Sequence, residues 1–148
     1  MTEELITIAI VQYLSLRQWT IISYDFPQSG SGYRFTENFT GSCSSCKALI
    51  PDIIAQKEGQ LFIWENKVKF SVLDIEKYRN FTSSFSNSIE SLRKETSFQN
   101  MFFGIGVAHS LYNIKKIDLY SNQLDFAVIV DQESTVIVKI PDSYGLLI

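Results

Sequence analysis

The chain is predicted to fold as an α/β (α+β) domain, with a mixed central β-sheet flanked by helices and a C-terminal β-hairpin. Three observations predict this. Helix-period segments and β-branched or aromatic runs follow one another in the order helix, three strands, helix, strand, further strands. Two pairs of apolar runs fold back across short polar turns. The 148 residues are 45% hydrophobic and 20% charged, ordinary for a globular chain and enough for one core, so residues 1–148 are expected to form a single domain.

Residues 2–17, TEELITIAIVQYLSLR, carry apolar side chains almost all round, which predicts a helix buried on more than one side. Thr2 is placed to cap it, and Glu3 and Glu4 suit the positive end of its dipole. QWTIISYDF then has strand composition. PQSGSGYRFTENFTGSCSSCK is rich in glycine and serine and too long for a simple connection, so it is expected to be an irregular excursion suited to recognition. Its Cys43 and Cys46 read as loop thiols. A zinc half-site shared between two copies is the alternative, since two thiols and the distant His109 do not complete a four-ligand set.

A hairpin is expected over residues 49–70. The next stretch places Val72, Ile75, Tyr78, Phe81, Phe85, Ile89 and Leu92 at helical spacing, predicting a helix with a break near its Thr/Ser cluster. NMFFGIGVAHS reads as a buried strand, and His109 after it as a structural histidine. LYNIKKIDLYSN has no decisive pattern. LDFAVIVDQESTVIVKI closes the chain as a second hairpin, turning at Asp131–Ser134.

The first hairpin has charge where its pattern calls for core. Unless a three-residue loop shifts the register by one, a two- or four-residue loop centred between Glu58 and Gly59 sets 56 opposite 61, 54 opposite 63 and 52 opposite 65. Asp52 then faces Glu65, and Lys67 projects from the same face as Glu65. Ile53, Ile54, Phe62, Ile63, Trp64 and Val68 surround them, so the patch should be at least partly desolvated. Facing carboxylates repel and need a cation between them. Lys67 supplies part of it. A Mg²⁺ ion, which favours one or two carboxylates with waters and substrate phosphates, supplies more. A lysine beside such a pair can orient or activate water or stabilise developing negative charge, which suits metal-assisted phosphodiester hydrolysis. A plain buried salt bridge between Lys67 and either acid is the bland alternative.

Pro51-Asp52, thirteen residues on to Glu65-Asn66-Lys67, resembles the signature of the PD-(D/E)XK nucleases. The resemblance spans about residues 2–108. It implies a restriction-endonuclease-like core and Mg²⁺-dependent endonuclease activity on DNA, with Mn²⁺ as substitute. By that likeness Asp52 and Glu65 hold the metal together with the Asn66 carbonyl, and Lys67 acts on the attacking water. Glu3 or Glu4 would be the added first-helix glutamate. Arg34, Lys47, Lys69, Lys77, Tyr78 and Arg79 are candidate nucleic-acid contacts. A restriction, homing or resolvase-like role is implied, and a homodimer or higher oligomer is expected because one small domain covers little DNA. The alternatives are a non-catalytic nucleic-acid-binding or interaction subunit of the same fold, and an RNase or toxin domain. The net charge of −3 argues against a non-specific coat protein but leaves room for a locally basic groove. No apolar run is of membrane-spanning length, and the acidic N-terminus is unlike a signal peptide, so a cytoplasmic location is expected.

Overall fold

The computed structural model describes residues 1–25, 32–38 and 48–148. Cys43, Cys46 and Lys47 lie outside the described residues. Helix α1 spans Glu3–Leu16, and the Thr2 hydroxyl accepts from the Leu5 amide at 3.2 Å. Strand β1 follows at Thr20–Tyr24. Within the expected excursion lies a strand: β2 (Phe35–Thr36) pairs with β3 (Ala48–Leu49) in a small separate sheet. Phe35 gives the reason, because it is fully buried against Ile54, Ile63 and Phe81 and pins the strap to the core.

Strands β4 (Ile53–Lys57) and β5 (Gln60–Lys67) form the first hairpin. Glu58 and Gly59 both adopt positive φ, 51° and 76°, the geometry of a tight turn whose twist matches the strands it joins. Ile53 pairs with Trp64, Ile54 with Ile63 and Lys57 with Gln60, the register expected from that turn. The helix expected after the hairpin is three pieces: α2 (Val72–Glu76), α3 (Phe81–Ser84) and α4 (Ser86–Thr96). Asn80 breaks it in the left-handed conformation (φ 59°), which asparagine tolerates better than most residues. The apolar face survives the break, and Ile75, Tyr78, Phe81, Phe85, Ile89 and Leu92 are all buried.

Strand β6 (Asn100–Ala108) runs parallel to β5. The stretch with no decisive pattern is helix α5 (Leu111–Leu119), capped by the Ser110 hydroxyl. Strands β7 (Phe126–Val130) and β8 (Val136–Ile140) form the closing hairpin, with the Ser134 amide on the Asp131 carbonyl. The main sheet has six strands in the order β1-β4-β5-β6-β7-β8, antiparallel except where β5, β6 and β7 run parallel. Residues of α1 pack on one face, over Phe62, Trp64, Phe126 and Val128. Residues of α3 and α4 cover Ile54, Leu61 and Ile63 on the other, and α5 covers Ile105, Val107 and Ile129 beside them. The fold class expected from the sequence is therefore the one observed. Among the described residues no helix is long and apolar enough to cross a membrane.

Candidate functional site

The site lies at the open end of the first hairpin, where β4 has stopped and β5 continues for three more residues. The ladder ends at Ile53–Trp64, one pair short of Asp52–Glu65. The Asp52 amide donates to the Trp64 carbonyl at 3.0 Å, and the Asp52 carbonyl accepts from Asp25. Its side chain reaches the place that the missing ladder position leaves: Oδ2 accepts from the Asn66 amide at 2.6 Å. In a strand the N–H and C=O of one residue point to the same side. The Asn66 carbonyl therefore also faces the gap beyond β4.

Glu65 is 5% exposed. The Tyr78 hydroxyl donates to its Oε1 at 2.8 Å, and the Lys77 ammonium stands 4.0 Å from its Oε2. Lys77 is closer to Asp74, at 3.3 Å. Asp74 is itself buried, and its second carboxylate oxygen has no hydrogen-bond partner. Lys67 is one-third exposed and pairs with Glu3 at 3.3 Å rather than with either hairpin acid.

The electrostatics follow from burial. Desolvation pushes the Asp52 carboxyl up to about 6, against the Asn66 N–H and the Lys67 charge, which favour the carboxylate. Desolvation, then the Asp52 charge, pushes Glu65 up to about 8, with Lys77 and the Tyr78 hydroxyl working the other way. The two acids are close enough for the charge of each to bear on the other. Keeping one of the two protonated relieves the repulsion, as a cation would. Burial alone would lower the Lys67 pKa. The charges of Glu3, Asp74 and Asp52 outweigh it and raise the value, so the lysine is held as a cation. The Tyr78 phenol is raised well above its usual value by burial and by Glu65, and stays a donor.

Among the described residues no three His, Cys, Asp or Glu side chains are grouped to hold a metal. The donor set still fits a hard, water-rich cation. It offers two carboxylates and one carbonyl, all oxygen, and Mg²⁺ characteristically takes few protein ligands. The carboxyl pair is short of positive charge, which is the condition a divalent ion meets.

Of the sequence-derived residues, the fold brings together Asp52, Glu65, Asn66, Lys67, Glu3 and Lys77. Glu4 is exposed on another side of α1. Arg34 is exposed beside β2, two residues beyond Gly32, whose amide donates to the Asp25 carboxylate next to Asp52. Lys69 lies over the Tyr112 ring at 4.6 Å, toward α5. Arg79 lines a cleft of about 320 Å³ with Tyr78, Phe103 and Asp125. His109 is exposed, and its amide donates to Val130. Tyr78, expected among the phosphate contacts, instead turns its hydroxyl to Glu65. The sequence did not single out Asp74 as a site residue, nor Thr7, whose hydroxyl accepts from the Asn66 side chain at 3.0 Å. Asn113 was also missed. Its side chain accepts from the Phe70 amide and donates to Val68 and Ala108, tying the exit of β5 to α5. The spacing of Asp74 and Tyr78, one helical turn apart after the lysine, was the available signal.

No family model and no curated protein matches the chain. Two solved structures have a similar path. One is an FdxN element excision controlling factor protein from Anabaena variabilis, at 17% identity over 90% of this chain and 96% of that one, with a TM-score of 0.44. The other is an XisH family protein from Nostoc punctiforme PCC 73102, at 14% identity over the same shares, with a TM-score of 0.42.

Proposed function

We propose that this chain is a Mg²⁺-dependent nuclease of the PD-(D/E)XK type that hydrolyses phosphodiester bonds in DNA. The observation that carries the reading is the arrangement at the end of β5. There the half-buried Asp52, held by the Asn66 amide, and the buried Glu65, held by the Tyr78 hydroxyl, lie beside the Lys67 ammonium that pairs with Glu3. A bound divalent ion supplies charge neutralisation and a water of lowered pKa. The protein's own part is positional. The Asn66 amide fixes the Asp52 carboxylate, Tyr78 fixes Glu65, and Glu3 keeps Lys67 charged. The ammonium of Lys67 then orients the attacking water and stabilises negative charge on the phosphate oxygens as the water–phosphorus bond forms and the ester P–O bond breaks. Lys77, half-exposed beside Glu65, offers a second cation to the nucleic-acid backbone.

A second reading is a non-catalytic subunit of the same fold. It is favoured by the Lys67–Glu3 pair, which satisfies the lysine without substrate. A plasmid-nicking assay with Mg²⁺ or Mn²⁺ separates the two. The panel should include junctions, single-stranded DNA and tRNA. Cleavage by the wild type that is lost in Asp52→Ala and Lys67→Ala supports the nuclease. Cleavage unchanged in both variants would remove the assigned site, and no cleavage of any substrate would favour the non-catalytic reading.

A further inference from the structure

Asn66 holds the central position of the Glu-Asn-Lys triplet, and its side chain points away from the acids, toward α1. It is fully buried. The amide nitrogen donates to the Thr7 hydroxyl at 3.0 Å, Thr7 is itself 2% exposed, and the carbonyl oxygen Oδ1 has no partner. Gly106 on the neighbouring strand makes the room. A Cβ there would stand 2.4 Å from Oδ1 and 2.5 Å from Ile10 Cδ1. A buried amide left half-satisfied costs stability, and an apolar side chain of similar size would cost less. The surrounding contacts of Ile6, Ile10 and Leu14 are apolar and carry little direction, so they leave α1 free to slide or turn slightly. A hydrogen bond does not.

Thr7 lies one turn after Glu3, on the same face of α1. The bond that fixes Thr7 against Asn66 therefore also sets Glu3 against Lys67, the next residue along β5. The backbone of the same Asn66 carries the 2.6 Å bond to Asp52. We infer that the Asn66 carboxamide and the Thr7 hydroxyl form a positioning lock. It fixes α1 on β5 so that Glu3 meets Lys67 and the Asn66 peptide meets Asp52, at a cost in stability. For its effect on turnover the inference rests on the nuclease reading. The lock itself does not.

The test uses Thr7→Ser, which keeps the hydroxyl, Thr7→Val, which removes it, and Thr7→Val combined with Asn66→Val, which removes both partners and the orphaned oxygen. The double variant is expected to melt at or above the wild-type Tm, yet to turn over plasmid at least tenfold more slowly at saturating Mn²⁺, with KM within twofold. Thr7→Ser is expected to stay within twofold of the wild type in kcat. Wild-type turnover by the double variant would overturn the lock. So would equal losses in Thr7→Ser and Thr7→Val at unchanged Tm, because packing rather than the bond would then be responsible. If the double variant does not fold, the two Thr7 variants decide. If the wild type cleaves nothing, the nuclease reading fails and the lock is judged on two other signals. These are the downfield Asn66 amide proton and the Glu3–Lys67 coupling measured by a Glu3→Gln, Lys67→Gln cycle. Both should weaken in the Thr7→Val background. If neither changes, the lock is wrong.

Discussion

Strands β5 and β7 flank β6 on either side, run parallel to it, and are buried along nearly their whole length. β7 reads FAVIV and is apolar to its end. β5 reads QLFIWENK and ends in a buried glutamate and a buried asparagine. Burial alone is thus met more cheaply by the β7 pattern, and the polar end of β5 needs another reason. The surroundings supply one. Beyond β7 the chain turns at once into β8, whereas beyond β5 the partner β4 has already stopped. Asp52, Glu3 and Tyr78 converge on the gap from three separate stretches of the chain. Buried charge in this sheet is confined to the place where several elements can address it together.

The largest test of this contrast pairs a substitution in each strand region. Asp52→Ala is expected to lower Mn²⁺-dependent nicking by roughly 10²–10³-fold, the scale of removing one group that stabilises reacting charge, without lowering Tm. Val128→Ala in β7 should do the opposite. It should cost about 1.5–3 kcal/mol of stability by denaturant melting and leave the rate per folded molecule unchanged.

The next effect is on pH dependence. Both acids titrate higher in the folded chain than in the unfolded one, so the folded state binds more protons across the interval between the two values. Stability of the metal-free protein should therefore fall as pH rises from the ordinary carboxylate range toward about 8. Tm measured at pH 5 and pH 8 without metal checks the sign. Glu65→Gln should flatten the profile and raise Tm at pH 8. Mn²⁺ should raise the wild-type Tm more at pH 8 than at pH 5, because it favours the ionised pair. A Tm that rises with pH in the metal-free protein would contradict the burial argument.

A smaller change is expected for Tyr78→Phe, which removes the hydroxyl on Glu65 and leaves the ring stacked on Phe103. Turnover should drop severalfold and Tm should move little. The smallest contrast lies within one helix turn. Glu3→Gln should lower the Lys67 pKa observed by NMR, since Glu3 is the leading charge that raises it, whereas Glu4→Gln should leave it in place. Stability should change by less than about 1 kcal/mol in both, as for surface pairs in general.

Much of this site was legible in the residues because its key step is local. The Glu58-Gly59 turn and the two-residue alternation of a strand set which residues of β4 and β5 meet, and both rules act over a few residues. The first helix, the buried β6 and the closing hairpin were legible for the same reason: each declares itself by periodicity within one segment. The pairing of β2 with β3 was not legible, because a two-residue strand has no period to read and depends on Phe35 finding the core. The break at Asn80 was foreseen only as an interruption of one helix, since left-handed backbone there is compensated by packing on both sides. Asp74, Tyr78 and Lys77 reach Glu65 only because that broken helix folds back over the sheet. Glu3, and not Glu4, meets Lys67 because of how α1 is rotated, which helix propensity leaves open. By itself, then, the sequence determined most of the elements and the hairpin register that carries Asp52 to within one ladder position of Glu65. The tertiary structure decided which distant side chains surround them, because those contacts depend on how apolar faces stack, and apolar packing has no direction until polar bonds such as Asn66 to Thr7 supply one.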